Sequence, residues 1–300
     1  MKNTNKTVTI GISAFNEEAN IKNLLFSVLE QKGDFRLEKI VVISDGSTDN
    51  TTKFVKEVSN PRITVIDNDI RKGKSERQNE ICAMAESDIL VILDADILPA
   101  DDLYISKLID PIIKNSGVGL TSGETLPINP KSFFEKILAF GLSFRIELFE
   151  SIRPDNVYLC VGPSRAFSKD FYKKIKWPSA YPEDTYSYLR AIELGFKFKY
   201  QKSAKVFLKL PDNLGDHFKQ SRRFMNSPVK IKSYFDEKFV SSQHNIPKKL
   251  FISKMLKYFM RNPFLSIAYL MVSGYPRIFK QSKSMKNKWD MSISTKKLTN

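Results

Sequence analysis

Residues 87–99 read SDILVILDADILP. Their unbroken apolar core, Ile89, Leu90, Val91, Ile92 and Leu93, predicts a strand buried on both faces, as in a parallel α/β sheet. The strand ends in Asp94-Ala95-Asp96. Side chains two apart on an extended segment point the same way, so both carboxylates are presented at the strand's carboxyl end, where open α/β sheets bind ligands. Two carboxylates so placed repel unless a cation or a set of donors lies between them. The pair suits a divalent cation that carries a diphosphate on its open positions. Alone, an Asp-x-Asp is an acidic turn, and the rest of the chain decides between the two.

Working upstream, Val8–Ile12 predicts a strand that runs into SAFNEE (13–18) and a helix over about 17–31, with Ile21, Leu24, Leu25, Val28 and Leu29 on one face. A strand feeding a helix N-terminus makes an anion pocket, although Glu17 and Glu18 also suit a first helical turn on dipole grounds. A second strand, Ile40–Ile43, ends in SDGSTD (44–49). Gly46 allows a tight turn, and Ser47, Thr48 or Asp49 can cap a helix over 50–58. A third strand, Ile63–Ile66, precedes Arg71-Lys72-Gly73-Lys74 and a helix over 75–86. That basic turn fits a phosphate or a solvated loop equally well. The alternation β-α-β-α-β-α-β implies a doubly wound, mostly parallel central sheet with helices on both faces. No GxxxxGK[ST] loop is present, and Gly117-Val118-Gly119 lacks the rest of a dinucleotide fingerprint, so an ATPase or a dehydrogenase is disfavoured.

Charge divides the 300 residues sharply. The net charge is +15, yet residues 201–300 hold 21 Lys/Arg and 5 Asp/Glu, while the first 200 residues sum to −1. An anionic surface is the expected partner of the C-terminal third. Cys82 and Cys160 form no disulfide framework and no metal spacing, and residues 1–7 are polar, which predicts a chain in the reducing cytoplasm.

The set SAFNEE (13–18), SDGSTD (44–49), RKGKSERQN (71–79) and LDAD (93–96), in this order and spacing, resembles the family 2 glycosyltransferases of GT-A fold. The resemblance implies an α/β catalytic domain over 1–226, with a nucleotide-binding half (1–100) and an acceptor-binding half (101–226). It implies a nucleotide-sugar donor, usually a UDP-sugar, with Ala14, Asn16, Glu18, Asp45, Lys74 and Asp94 around the nucleotide. It also implies Mg2+ or Mn2+ on Asp94 and Asp96.

In the second half, 101–114 reads as a helix, 118–122 as a strand and 132–150 as a Phe-rich helix whose rings suit core packing. Residues 157–161 predict a strand ahead of Gly162-Pro163-Ser164-Arg165, which resembles the family's segment beneath the acceptor. Tyr181-Pro-Glu-Asp-Thr185 opens a helix over 186–194. Asp184 suits an N-cap, and the resemblance makes it the general base, with Glu183 beside the acceptor and the diphosphate. A hydroxyl acceptor is a poor nucleophile at pH 7, and a carboxylate within reach takes its proton as the new bond forms. Gln220-Ser-Arg-Arg223-Phe224 resembles the Gln-x-x-Arg-Trp of membrane-bound polysaccharide synthases, with Phe in place of Trp. His217 is at most a third ligand, and a lone His is more often structural.

Residues 226–247 read as a linker. Beyond it, Leu250, Phe251, Met255, Tyr258 and Phe259 share one helical side, with Lys254, Lys257 and Arg261 on the other, and 264–275 is an uncharged run. Twelve residues cannot span a bilayer. The expectation is a pair of amphipathic, interfacial helices over 227–280, lying on an anionic membrane at its cytoplasmic face or docked onto the catalytic domain. Residues 281–300 read as a disordered basic tail. The implied activity is inverting transfer to a hydroxyl of a lipid-linked or surface-glycan acceptor in polysaccharide biosynthesis. Transfer to a polyprenyl phosphate is the alternative. A nucleic-acid-binding role for the tail is disfavoured because the catalytic half carries no basic groove interleaved with aromatics, and a sugar nucleotidyltransferase because its Gly-rich loop is missing.

Overall fold

The computed structural model describes residues 5–179, 182–278 and 293–298; of 222–230, 275–278 and 293, only the backbone is described. An eight-stranded sheet is built from β1 (Lys6–Ala14), β2 (Phe35–Asp45), β3 (Ile63–Asn68), β4 (Ile89–Asp94), β5 (Ile97–Pro99), β6 (Val118–Pro127), β7 (Ser164–Ser168) and β8 (Lys197–Leu208). Their spatial order is β3-β2-β1-β4-β7-β6-β8-β5. The first four strands are parallel. β7 then runs antiparallel to both β4 and β6, and β8 pairs parallel with β6. The helices are α1 (Ile21–Leu29), α2 (Thr51–Glu57), α3 (Lys74–Met84), α4 (Tyr104–Lys114), α5 (Phe133–Ile152), α6 (Lys169–Tyr172), α7 (Glu183–Glu193), α8 (Leu214–Ile231), α9 (Glu237–Gln243), α10 (Lys248–Arg261) and α11 (Pro263–Ile278).

The apolar run of β4 is buried on both sides. Ile89, Val91 and Leu93 join the cluster under α1, α2 and α4, while Leu90 and Ile92 join the one under α3, α6 and α7. The strand order places β1 and β4 side by side at the point where connections change direction, with Ser13 opposite Asp94. That is the ligand-binding crevice of a doubly wound sheet.

Several expectations are corrected. Residues 157–159 form a 3₁₀ turn rather than a strand. The Asn156 side chain accepts from the Tyr158 amide at 3.0 Å, and a side-chain cap of this kind draws the backbone away from a ladder. Cys160 therefore follows a turn. β7 and β8 were not anticipated. The supposed linker is the end of α8, then α9, and Asp236 caps α9 by accepting from Phe239 N at 2.9 Å. Within the tail beyond 280, Ile293–Thr295 is a 3₁₀ turn and Leu298 is buried. Residues 281–292 lie outside the described residues.

The Phe-rich α5 is the seat of α10 and α11. Phe140 and Phe144 meet Tyr258 edge-on at 5.3 and 5.2 Å. A Cβ on Gly141 would overlap the Tyr269 ring, so a glycine is what allows α11 this close. Glu147 receives Lys254 at 3.0 Å, Lys257 at 2.5 Å and Arg261 at 3.5 Å. Hydrogen bonds from Lys257 and Lys254 outweigh burial and hold the Glu147 carboxyl down, from 4.5 to about 2. A carboxylate depressed in the fold stabilises it above its unfolded pKa and loses that contribution as pH falls towards the folded one. The stability gap between wild type and Glu147→Gln should therefore be full above pH 4.5 and close as pH falls towards about 2, as read from urea unfolding across pH.

Candidate active site

Three loop systems meet at the β1–β4 crevice. The first is the loop after β1. Asn16 has φ 54°, an uncommon conformation for a residue other than glycine. Its amide N donates to Ser47 Oγ at 3.1 Å, and its Oδ1 accepts from Thr48 N at 2.8 Å. Glu18 accepts from Asn50 N at 3.0 Å and from Asn50 Nδ2 at 2.9 Å. Asn16 and Glu18 thus tie SAFNEE to SDGSTD, and Asp49, one residue ahead of the N-cap Asn50, accepts from Thr51 N at 3.0 Å. Ala14 is buried at the end of β1, paired with Ser44 of β2.

The second is the turn ahead of α3. Asp45 accepts from Lys72 N at 2.7 Å, Gly73 N at 2.9 Å and Arg77 Nε at 2.7 Å. Both Asp45 and Arg77 are buried. Both oxygens of Asp45 are engaged in the 71–77 turn, which gives it a structural role there. Gly73, at φ 101°, opens α3 and so delivers Lys74 to the crevice.

The third is the start of α7. Lys74 Nζ lies 2.5 Å from Asp94 Oδ1 and 2.6 Å from Glu183 Oε1, joining the tip of β4 to α7. Pro182 is the N-cap, so Asp184 lies in the first turn rather than at the cap. Its Oδ1 accepts from Thr185 N at 2.6 Å. A Cβ built on Gly162 would lie 3.4 Å from Glu183 Oε1, 3.6 Å from Lys74 Nζ and 3.7 Å from Asp184 Oδ2. All three groups therefore face one small space, kept open by the missing side chain. Beneath it, the Glu183 carbonyl accepts from Arg165 Nη1 at 2.9 Å and Trp177 Nε1 at 3.1 Å. Neither residue was singled out for this role. Arg165, an arginine within a short apolar strand and wholly buried, is the signal that could have found it.

The electrostatics are those of crowded acids. Burial raises Asp94 to about 6; Lys74 opposes this, and Asp96 and Glu183 add to it. Burial and the Asp96 charge raise Glu17 to about 7. Burial, then Glu183, raises Asp184, against Arg165. Glu183 is lowered, because Lys74 and Arg165 together overcome its burial. An excess of hard oxygen donors around Asp94 and Asp96 fits Mg2+ or Mn2+. Among the described residues no three potential ligands are gathered into a ready cage; Mg2+ is usually held by one or two carboxylates and completed by substrate phosphates. His217 stays out of any such set. Its ring is edge-on to Phe134 at 6.1 Å, and burial lowers it to about 4. Gln220 is half-buried on α8; the side chains of Arg223 and Phe224 lie outside the described residues, as does Tyr181.

The model of glycosyl transferase family 2 matches residues 9–176, more than half the chain. The chain is a family 2 glycosyltransferase. The poly-β-1,6-N-acetyl-D-glucosamine synthase of Staphylococcus epidermidis is 24% identical over 218 residues, covering 71% of this glycosyltransferase and 52% of that protein. The chain thus spans about half the length of the curated relatives it matches. Among solved structures, a Pyrobaculum calidifontis mannosyltransferase in complex with GDP-mannose and Mn2+ superposes with TM-score 0.61 at 18% identity, over 93% of this chain and 76% of that one. TarS of Staphylococcus aureus (residues 1–349) gives 0.54 at 15%, over 90% and 80%. Glucosyl-3-phosphoglycerate synthase of Mycobacterium tuberculosis gives 0.55 at 19%, over 77% and 82%. These likenesses establish the GT-A fold of this glycosyltransferase.

Lys74→Met leaves Asp94 and Glu183 without their shared cation. Breaking a fully buried pair from one side costs about 3–5 kcal/mol; Lys74 and Asp94 are only partly buried, and a smaller loss of about 1–3 kcal/mol is expected in urea unfolding at pH 7.5.

Proposed function

We propose that this glycosyltransferase moves a sugar from a nucleotide-sugar, a UDP-sugar by preference, to a hydroxyl of a surface-glycan or lipid-linked acceptor, with inversion at the anomeric carbon. The observation that carries this is the convergence of Lys74, Glu183 and Asp184 on the space at Gly162, with Asp94 paired to Lys74. The loop of Ala14, Asn16 and Glu18 would flank the nucleotide. Asp94 and Asp96 would hold Mg2+ or Mn2+, which when bound offsets charge on the departing diphosphate. Lys74 holds Asp94 and the α7 loop in register. Asp184, raised by burial, takes the acceptor proton; Glu183, lowered, stays ionised beside it. Gln220 and, beyond the described side chains, Arg223 and Phe224 would border the diphosphate and acceptor. The S. epidermidis relative, named as a polysaccharide synthase, favours a glycan acceptor; the mannosyltransferase bound to GDP-mannose makes GDP-sugars the first rival donors.

The acceptor proposal extends to location, at the cytoplasmic face of an anionic membrane. Phe251, Leu256, Met260, Phe264, Leu270 and Met271 on α10 and α11 are exposed, Met260 and Met271 by 77 and 69%. No Asp or Glu occurs from 248 to 278. Among the described residues no helix is long and apolar enough to cross a membrane, so an interfacial seat is the form proposed, apolar side chains inserted and lysines on head groups. Two unpaired buried thiols suit a reducing compartment.

Asp184→Asn should lower turnover by about 10²–10⁴-fold while leaving the binding of UDP with Mn2+, followed by calorimetry, unchanged. A polyprenyl-phosphate acceptor needs no base, and unaltered turnover would favour it. Co-sedimentation with phosphatidylglycerol vesicles at low salt should exceed that with neutral vesicles. It should fall at least about tenfold in a Phe264→Glu, Met271→Glu double variant, since each charge opposes insertion.

A further inference from the structure

The segment Ser294–Leu298 runs across the outer side of the donor loop. At one end, Ser294 donates to Asp216 Oδ2 of α8 from its amide N at 3.0 Å and its Oγ at 2.8 Å. At the other, Leu298 is buried and its amide N donates to Asn20 Oδ1 at 3.1 Å, while Asn20 Nδ2 donates to the Lys296 carbonyl at 2.6 Å. Asn20 stands at the N-cap of α1 but makes no side-chain cap bond; its amide serves the C-terminal segment instead of the helix. Between these anchors, Lys296 Nζ donates to the Phe15 carbonyl at 3.0 Å and pairs with the Glu17 carboxylate.

Phe15 and Glu17 flank Asn16, the residue held at φ 54°. A side chain in that region costs of order 1–3 kcal/mol and persists only where its surroundings over-determine it. Ser47 and Thr48 fix Asn16 from the sheet side. Lys296 supplies the opposing hold, gripping the backbone before Asn16 and the side chain after it. Glu17 is 5% exposed, and its second oxygen accepts from Asn20 Nδ2 at 3.0 Å, so the loop, α1 and the C-terminal segment form one connected unit.

We propose that Lys296 is a positioning residue for the donor: carried in by the strap Ser294–Leu298, it locks the strained 15–17 loop in the form that receives a nucleoside diphosphate. This rests on the proposed function. A loop that is competent only a fraction of the time raises the apparent Kd by the inverse of that fraction. The probes are UDP and GDP, each with Mn2+, titrated calorimetrically into the wild type, Lys296→Met, Lys296→Arg and a chain ending at Met291. Amide hydrogen exchange at 14–18 is measured without nucleotide. Lys296→Met and the shortened chain should both bind about tenfold more weakly and exchange faster at 14–18, and Lys296→Arg should stay within about threefold of wild type. Unchanged or tighter binding by Lys296→Met overturns the proposal, as does weaker binding with wild-type exchange at 14–18, which would make Lys296 a direct ligand. A wild type that binds neither nucleotide removes the donor assignment and this proposal together.

Discussion

One ammonium group holds the two halves of this enzyme to a common centre. Lys74 stands between Asp94, at the tip of the central strand, and Glu183, at the head of α7. Each carboxylate alone would be costly so near the other, Glu183 buried and Asp94 partly so. With the lysine between them, the tip of β4 and the head of α7 keep a fixed separation, of the kind that proximity-driven chemistry requires. The supports are arranged around this contact. Asp45 and Arg77 shape the turn that launches Lys74, and Arg165 and Trp177 hold the carbonyl of Glu183 from below.

The same arrangement separates the roles of two adjacent acids. Glu183 and Asp184 share one helical turn, yet one is lowered by Lys74 and Arg165 and the other is raised by burial and by Glu183 itself. Neighbouring acids pushed in opposite directions are a recurrent device for assigning proton-transfer duties. Here the device depends on cations from two other elements, α3 and β7.

The first half of the fold was legible because its signals are local. A five-residue apolar run, β-branched strands and polar strand tips marked β1 to β4, and the motif order marked the crevice. The second half was less so. β8 carried a readable alternation, Phe198, Tyr200, Ala204, Val206 and Leu208, interrupted by Lys202 and a register shift between β6 and β8. β7 is five residues long with a buried arginine in second place, and such a strand is specified by its neighbours rather than by its own sequence. Lys74, Asp94, Glu183 and Asp184, which the structure brings together, were marked by residue type and motif. The engagement of Asp45 with the 71–77 turn was not legible, because a carboxylate at a strand tip looks the same whether it faces a ligand or the amides of the next turn. The contacts of Lys296 join residues almost a full chain length apart, and no window of sequence could show them.

The position of β7 has a consequence for how the enzyme can be divided. It comes from the middle of the chain, yet it lies against β4 with Leu90 facing Phe167 and Ile92 facing Arg165. A fragment ending near residue 100 would leave the most apolar strand of the sheet with one open edge, and such edges recruit other chains. The first hundred residues and those that follow are therefore inseparable as folding units: the second part completes the sheet on which the first is written.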